Sequence, residues 1–413
     1  MSAATYVDVT QLFDWQGKLT GIPRVMNELS SRMGSGYTLV VWREGGFTEV
    51  SYDALLANRE ESTVQAARTS SPKSIRRVIL DTVPGARRSI QYARQLKQRH
   101  HKPEATTGQD NGLITGQDTL VILWGAWDSQ PYIEYVADLQ GAGTKLVQVV
   151  YDMLPLVTPQ FSGHSTERLK NYAASLYPLF SLLVSISEHT SKDTREWLQA
   201  RGLHVPEIRT FRLGDDFKVA KPKQPKDPDF VAAKLAGGEY LLAVGTVEAR
   251  KNHTLLYYAY KLAAQRGVAL PSLVIVGRRG WLTEDIYTLM TTDPEVKDKF
   301  VFLQNAGDEE LAWLYKNCLF SLYPSFYEGW GLPVAESIAH GVPCLASNTS
   351  SIPEIAGDLI GYFSPDSTDE CLNAIRELLE PKQLAAAKKK VGQYRPTSWE
   401  QTYATFDKYL RSI

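Results

Sequence analysis

Apolar residues along the chain follow two alternating patterns: short β-branched runs, and longer segments in which they recur every three or four positions. TYVDV (5–9), YTLVVW (37–42), TLVILW (119–124), KLVQVVY (145–151) and SLLVSI (181–186) read as strands in the first half. YLLAVG (240–245), SLVIVG (272–277), FVFLQ (300–304), LFSLYP (319–324) and VPCLAS (342–347) read as strands in the second. Between them, GIPRVMNELSSRM sets Ile22, Val25, Met26, Leu29 and Met33 at helical spacing, and DEELAWLYKNC does so with Leu311, Leu314, Tyr315 and Cys318. Strands that are apolar throughout and separated by helices predict parallel sheets covered on both faces. The fold class is therefore α/β, of the doubly wound kind.

The pattern breaks at KVAKPKQPKDPDF (218–230), a Lys- and Pro-rich connector. This predicts one domain over 1–217 and a second over 231–390. A last helical segment, TSWEQTYATFDKYL (397–410), has its own Trp and Tyr to bury, so residues 391–413 are expected to pack back on the first domain. A length of 413 residues suits two domains of roughly 150–200 residues each. The alternation also lapses over about 60–118, where the stretch from Arg68 to Lys102 holds ten Lys or Arg against the single acid Asp81. Two readings stand for this basic insertion: a segment lying on an anionic membrane surface, or a solvated loop neutralised by the rest of the fold.

A formal net charge of −1 gives no global field for nucleic acid. Three cysteines (Cys318, Cys344, Cys371) without a CxxC spacing argue against a disulfide framework or a zinc site. The opening stretch, MSAATYVDVTQLFDW, lacks a basic region followed by an apolar run, and no segment approaches the roughly 20 apolar residues of a membrane helix. A cytoplasmic protein is expected, with peripheral contact at the inner face of the plasma membrane if the basic insertion binds lipid.

The most informative stretch is FYEGWGLPVAE (326–336). The strand LFSLYP ends near Pro324 and Pro333 suits the start of a helix, with Gly341 and Pro343 as its stop. Residues 325–332 then form a loop at the carboxyl end of a parallel strand, where open α/β sheets bind ligands. Gly329 and Gly331 let backbone approach a ligand, and the free N–H groups after Gly331 offer an anion site. Carboxylates suit hydroxyls rather than anions. Glu328 and Glu336, flanking that anion site, match a ligand with hydroxyls on both sides of a phosphate, the shape of a nucleotide-sugar. Glu328 would face the sugar and Glu336 the ribose. The second cue is GTVEARKN (245–252), which places Arg250 and Lys251 after the strand YLLAVG, where two cations would oppose a diphosphate.

EGWGLPVAE resembles the E-x7-E signature of the retaining glycosyltransferase family 4, and other stretches match that family in order. These are GIPRV, YDMLP, SISEHTSKD, GTVEARKN, SIPEIAGD and TSWEQTY, so the likeness covers nearly the whole chain outside about 50–118. The nearest likeness is to bacterial mannosyl- and rhamnosyltransferases of surface-polysaccharide synthesis. It implies the GT-B fold, two Rossmann-like domains facing each other across a cleft, with an N-terminal acceptor domain and a C-terminal donor domain. It implies a metal-independent hexosyltransferase that takes mannose from GDP-mannose to a glycan or lipid-linked oligosaccharide of O-antigen, capsule or exopolysaccharide. No cofactor is implied beyond the substrate nucleotide-sugar, whose GDP linkage rests on the likeness alone.

By residue, the resemblance gives Glu328, Arg250, Lys251 and Asp152 catalytic roles. Donor contacts fall to Gly21, Arg24, Gly245, Thr246, Gly329, Trp330, Gly331, Leu332 and Glu336, and acceptor contacts to Tyr151 and Glu188. Thr246 stands where many relatives carry Arg, and Tyr151 where they carry His. Asp152 has two readings, a cap for the next turn and an acceptor contact. Glu188 has two as well, a helix start beside Ser187 and a functional acid. No metal ligands are expected, because the single Asp-x-Asp triplet, Asp227-Pro228-Asp229, lies in the connector. Nucleotide-sugar epimerases, sugar phosphorylases and catalytically silent sugar-binding proteins share the same fold plan and form the alternatives.

Overall fold

In a computed structural model, which describes residues 3–16, 19–43, 45–58, 112–163, 165–216, 221–227, 230, 238–281 and 283–413, the chain gathers into two units, 1–148 and 149–413. The basic stretch 68–102 lies outside the described residues, as do parts of the 218–230 connector.

The first unit holds β1 (Thr5–Asp8), β2 (Thr38–Arg43), β3 (Gly46–Glu49), β4 (Thr119–Ile122) and the start of β5 (Lys145–Val150). β1 lies parallel between β2 and β4, and β5 follows β4. β3, paired antiparallel on the outside of β2, was not expected, because GFTE offers one apolar residue, Phe47. The helix Ile22–Ser30 buries Val25, Met26 and Leu29 of the predicted stripe, with Pro23 besides, while Ile22 and, past the helix end, Met33 are half-buried.

In the second unit β6 (Leu182–Ser185) pairs in parallel with β7 (Glu207–Thr210), and the strand order of the first sheet reads β3-β2-β1-β4-β5-β6-β7. The second sheet is formed by β8 (Tyr240–Val244), β9 (Ser272–Val276), β10 (Phe300–Leu303), β11 (Ser321–Tyr323), β12 (Cys344–Ser347) and β13 (Gly361–Phe363). All its pairings are parallel, in the order β10-β9-β8-β11-β12-β13. β8 shows why an unbroken apolar run makes a central strand. Leu241 and Ala243 enter one core with Leu256, Tyr260 and Ile275, while Tyr240 and Leu242 enter another with Val274, Val301 and Leu314. Both sheets are thus Rossmann-like α/β layers, as the alternation predicts. β7 and β13 escaped the sequence reading because EIRT is half polar and GYF is only three residues long.

The order of the second sheet reverses between β8 and β11. Parallel strands present their carboxyl ends on one edge, and helices leaving a reversal point depart to opposite faces, so the two loops there open a crevice. Those loops carry GTVEARKN and FYEGWG.

The helix Trp399–Leu410 starts with a capping box: Gln401 N–H donates to Ser398 Oγ at 3.1 Å, and Ser398 N–H donates to Gln401 Oε1 at 2.9 Å. It lies against the end of β7. Tyr409 OH donates to the Thr210 carbonyl at 2.9 Å and Thr402 Oγ1 to the Arg212 carbonyl at 2.9 Å, while fully buried Phe406 packs on Phe211 with ring centroids 5.6 Å apart. No helix among the described residues is long and apolar enough to cross a membrane. Phe406→Ala should cost about 3–5 kcal/mol, the usual loss for emptying a buried aromatic site. A thermal melt showing Tm within a degree of wild type would contradict this packing.

Candidate functional site

Glu328 is 6% exposed, and a carboxylate so buried requires compensation. It is compensated on both oxygens. Lys251 Nζ donates to Oε1 at 2.6 Å and Arg250 Nη1 approaches Oε2 at 2.6 Å. Arg250 extends the cluster through Nη2, 2.9 Å from Glu248 Oε1, and Lys251 Nζ also donates to Tyr323 OH at 2.5 Å. The Lys251 ammonium lies 4.7 Å from the Tyr323 ring centroid, a cation–π contact in the same pair.

The local backbone explains how residues 77 and 78 positions apart meet. Phe326 N–H donates to the Arg250 carbonyl at 2.9 Å, tying the loop after β11 to the loop after β8. Arg250 Nη1 donates to the Tyr327 carbonyl at 3.3 Å. Ser350 Oγ accepts the Glu328 N–H at 3.0 Å, and Ser351 Oγ donates to the carbonyls of Glu328 and Trp330, each at 2.9 Å. Among the described residues two that are not glycine have positive φ, Asn252 at 55° and Ser350 at 50°. One follows Lys251 and the other holds Glu328. Left-handed backbone at non-glycine positions persists only where surrounding structure fixes it.

Two glycines in the loop are there for different reasons. A Cβ on Gly329 would lie 2.0 Å from the Tyr151 carbonyl oxygen and 3.0 Å from Asp152 Cβ, so only glycine lets this loop press against residues 151–152. Gly331 takes φ 113° immediately before the helix Leu332–Ala339, in which Pro333 is the second residue rather than the first.

Electrostatics follow from this geometry. Burial works against the charge of Glu328, but Arg250 and Lys251 outweigh it and hold the carboxyl down at about 2. Burial is the main influence on Lys251 and lowers its pKa, with Glu328 opposing. Burial raises Asp152, with Arg250 opposing and Glu328 and Glu248 adding to the rise. His253, buried near Lys251, is pushed down to about 4 and is neutral at pH 7.

The structure brings Glu328, Arg250, Lys251 and Asp152 into one neighbourhood, with Gly329 as the contact between the two loops. Both carboxylate oxygens of Glu328 are engaged by cations, Oε1 by Lys251 and Oε2 by Arg250. Asp152 Oδ1 accepts the Leu154 N–H at 3.1 Å, the capping arrangement. Tyr151 is buried at the end of β5, and burial raises its phenol. Glu188 is exposed; it starts the helix Glu188–Gln199, whose cap is Ser187 Oγ accepting the Thr190 N–H at 3.1 Å. Gly245 ends the run after β8, its N–H donating to the Val276 carbonyl at 2.9 Å, and Thr246 beside it is exposed. Leu332 is the first residue of its helix and half-buried. Glu336, also half-buried, accepts from Tyr315 OH at 3.3 Å. Gly21 precedes the helix Ile22–Ser30 with φ 58°, and Arg24 lies half-buried in its first turn; both belong to the first unit.

Several contributors were not singled out from sequence. Glu248 and Tyr323 complete the ion cluster, and Ser350 and Ser351 hold the loop. Glu354 accepts the N–H groups of Glu188 and His189 at 2.8 and 2.7 Å. Arg212 lies 5.0 Å over the Trp330 ring and donates to the carbonyls of Glu354 and Ile355. Trp330 is buried beneath it. Polar residues immediately after apolar strands were the available signal for Glu248, since that is the ligand edge of a parallel sheet.

Glu328→Gln should lower Tm, because Lys251 would lose its carboxylate partner while still buried and Arg250 would keep only Glu248. The pH profile has a defined sign. A carboxyl depressed from 4.5 to about 2 contributes stability that is present above its unfolded value and lost as pH falls through 4.5 toward 2. Melts between pH 2 and 6 should therefore show a shallower acid loss in the variant; parallel curves would contradict the ion cluster.

Residues 227–394 match the family model for glycosyl transferases group 1. The serotype-specific mannosyltransferase WbdA of Escherichia coli is 26% identical over 299 residues, covering 70% of this chain and 36% of its own. O-antigen chain mannosyltransferase B of E. coli is 27% identical over 299 residues, covering 69% of this chain and 76% of its own. The chain thus spans about a third of the length of the first of these relatives. Among solved structures, Anabaena HepE in complex with UDP and glucose superposes with a TM-score of 0.61 at 16% identity over 100% of both chains. Sucrose-phosphate synthase from Thermosynechococcus elongatus gives 0.60 at 16% identity, over 99% of this chain and 98% of its own. With its two Rossmann-like domains the chain has the GT-B fold, and residues 227–394 within it are similar to glycosyl transferases group 1.

Proposed function

We propose that the chain is a retaining hexosyltransferase that moves mannose from GDP-mannose onto a glycan or lipid-linked oligosaccharide in bacterial surface-polysaccharide synthesis. The observation that carries the reading is the convergence of Arg250, Lys251 and Glu328 where the strand order reverses between β8 and β11. The mannosyltransferase relatives supply the sugar class, and the residue chemistry supplies the mechanism.

Breaking the bond between a sugar and a nucleoside diphosphate leaves growing negative charge on the departing phosphate. Arg250 offers a planar fork for phosphate oxygens and Lys251 a point charge. Glu328, ionised and bonded to both, acts as the strut that fixes their orientation before reaction, which removes reorganisation from the barrier. Glu336 is assigned to the ribose hydroxyls, and the N–H groups at the start of the helix Leu332–Ala339 to the diphosphate. Gly21 and Arg24 are assigned to the same donor, and Asp152 to the acceptor.

Glu328, held by two counter-ions, is poorly suited to act as a nucleophile, which supports front-face attack: the acceptor oxygen approaches on the side the diphosphate leaves, and its proton passes to the leaving phosphate oxygen. The chain supplies position and charge. No metal or cofactor has a step in this scheme.

A panel of nucleotide-sugars tested for turnover and thermal stabilisation should single out GDP-mannose, with anomeric configuration retained in the product. Arg250→Ala and Lys251→Ala should each reduce kcat by about 100-fold or more, the scale of losing a transition-state charge contact. Nearly full activity in both would remove the basis of the site. Chelation should leave turnover unchanged, and loss of activity with EDTA would contradict metal independence.

A further inference from the structure

Arg250 uses its two terminal nitrogens unequally. Nη1 is anchored twice, 2.6 Å from Glu328 Oε2 and donating to the Tyr327 carbonyl at 3.3 Å. Nη2 has one acidic partner, Glu248 Oε1 at 2.9 Å. The two acids also differ in how firmly they are held. The Glu328 side chain is 8% exposed, bonded to two cations, and its backbone is fixed by Ser350 and Ser351. The Glu248 side chain is 16% exposed, precedes the short turn Ala249–Lys251 and makes no capping hydrogen bond there.

The charge balance adds a constraint. Two cations, Arg250 and Lys251, face two acids, Glu248 and Glu328, so the cluster neutralises itself. A diphosphate approaching a neutral cluster gains little net attraction and meets carboxylate repulsion. Turning one acid away leaves a net positive seat.

We propose that Glu248 is an internal competitor for the diphosphate, occupying the exchangeable arm of Arg250 and yielding it to the donor. This rests on the donor reading given above. Glu328 keeps the guanidinium plane fixed through Nη1 while Nη2 passes from carboxylate to phosphate. Glu248 thereby sets donor affinity without touching the sugar, and its carboxylate disfavours ligands that lack enough negative charge to displace it.

Calorimetric titration of the full chain with GDP, UDP and the corresponding nucleosides tests the assignment in wild type, Glu248→Gln and Glu248→Ala. Both variants should bind the diphosphate about two- to fivefold more tightly, the range set by releasing one partly exposed ion pair. Nucleoside affinity should not change, KM for the donor should fall and kcat should stay within a few-fold of wild type. Melting curves of each variant establish that the fold is intact. Equal or weaker diphosphate binding in the Gln variant, or a kcat loss near 100-fold, overturns the competitor role and makes Glu248 a direct substrate contact or a purely structural acid. Failure of wild type to bind any nucleoside diphosphate instead overturns the donor reading itself.

Discussion

The site depends on a carboxylate buried between two cations. Glu328 is sustainable at 6% exposure because Lys251 and Arg250 take its two oxygens, and the buried Lys251 in turn relies on Glu328, while Arg250 has Glu248 as a second counter-ion. The ion cluster ties the loop after β8 to the loop after β11. Ser350, Ser351 and the Phe326–Arg250 backbone bond then set the orientation. A preorganised pair of cations on the ligand edge of a parallel sheet is a device for stabilising charge that appears during bond breaking.

Topology makes this placement possible. In the order β10-β9-β8-β11-β12-β13, chain neighbours diverge at the β8–β11 pair, and both flanking loops exit on the same edge. The glycines refine it. Gly329 allows contact with residues 151–152 that any Cβ would block, which carries Asp152 into the field of Arg250 and Glu328. The segment 149–217 and the second sheet are also joined away from the cluster. Glu354 accepts two N–H groups at the start of the helix Glu188–Gln199, and Tyr327 OH donates to Asp193 Oδ2 at 2.5 Å. Carboxylate at a helix N-terminus is electrostatically favourable, so Glu354 stabilises that helix as well as linking the two segments.

The sequence made the sheets legible where burial was two-sided. β8, β9 and β10 are each apolar over at least four consecutive positions, and this pattern has few other solutions. β3, β7 and β13 were illegible because short, half-polar edge strands carry little burial signal. The same division holds at the site. Glu328, Arg250 and Lys251 were recognisable as residue types beside glycines at strand ends. That Glu328 would pair with both cations was not, because the pairing is made between positions 77 and 78 apart in the chain. Tyr323, Ser350 and Arg212 were missed for the same reason: each matters through a tertiary partner, and nothing in its own sequence neighbours marks it, whereas Glu248 was marked only by its place just after an apolar strand.

The central claim is that Arg250 and Lys251, aligned by Glu328, form the seat of a diphosphate. The most direct measurement is the affinity gap between a nucleoside diphosphate and its nucleoside, compared between wild type and the Arg250→Ala/Lys251→Ala double variant. The account predicts a wide gap in wild type that nearly closes in the double variant, with nucleoside affinity preserved. An unchanged gap in a folded double variant would mean that the phosphates are held elsewhere, and the account would be wrong.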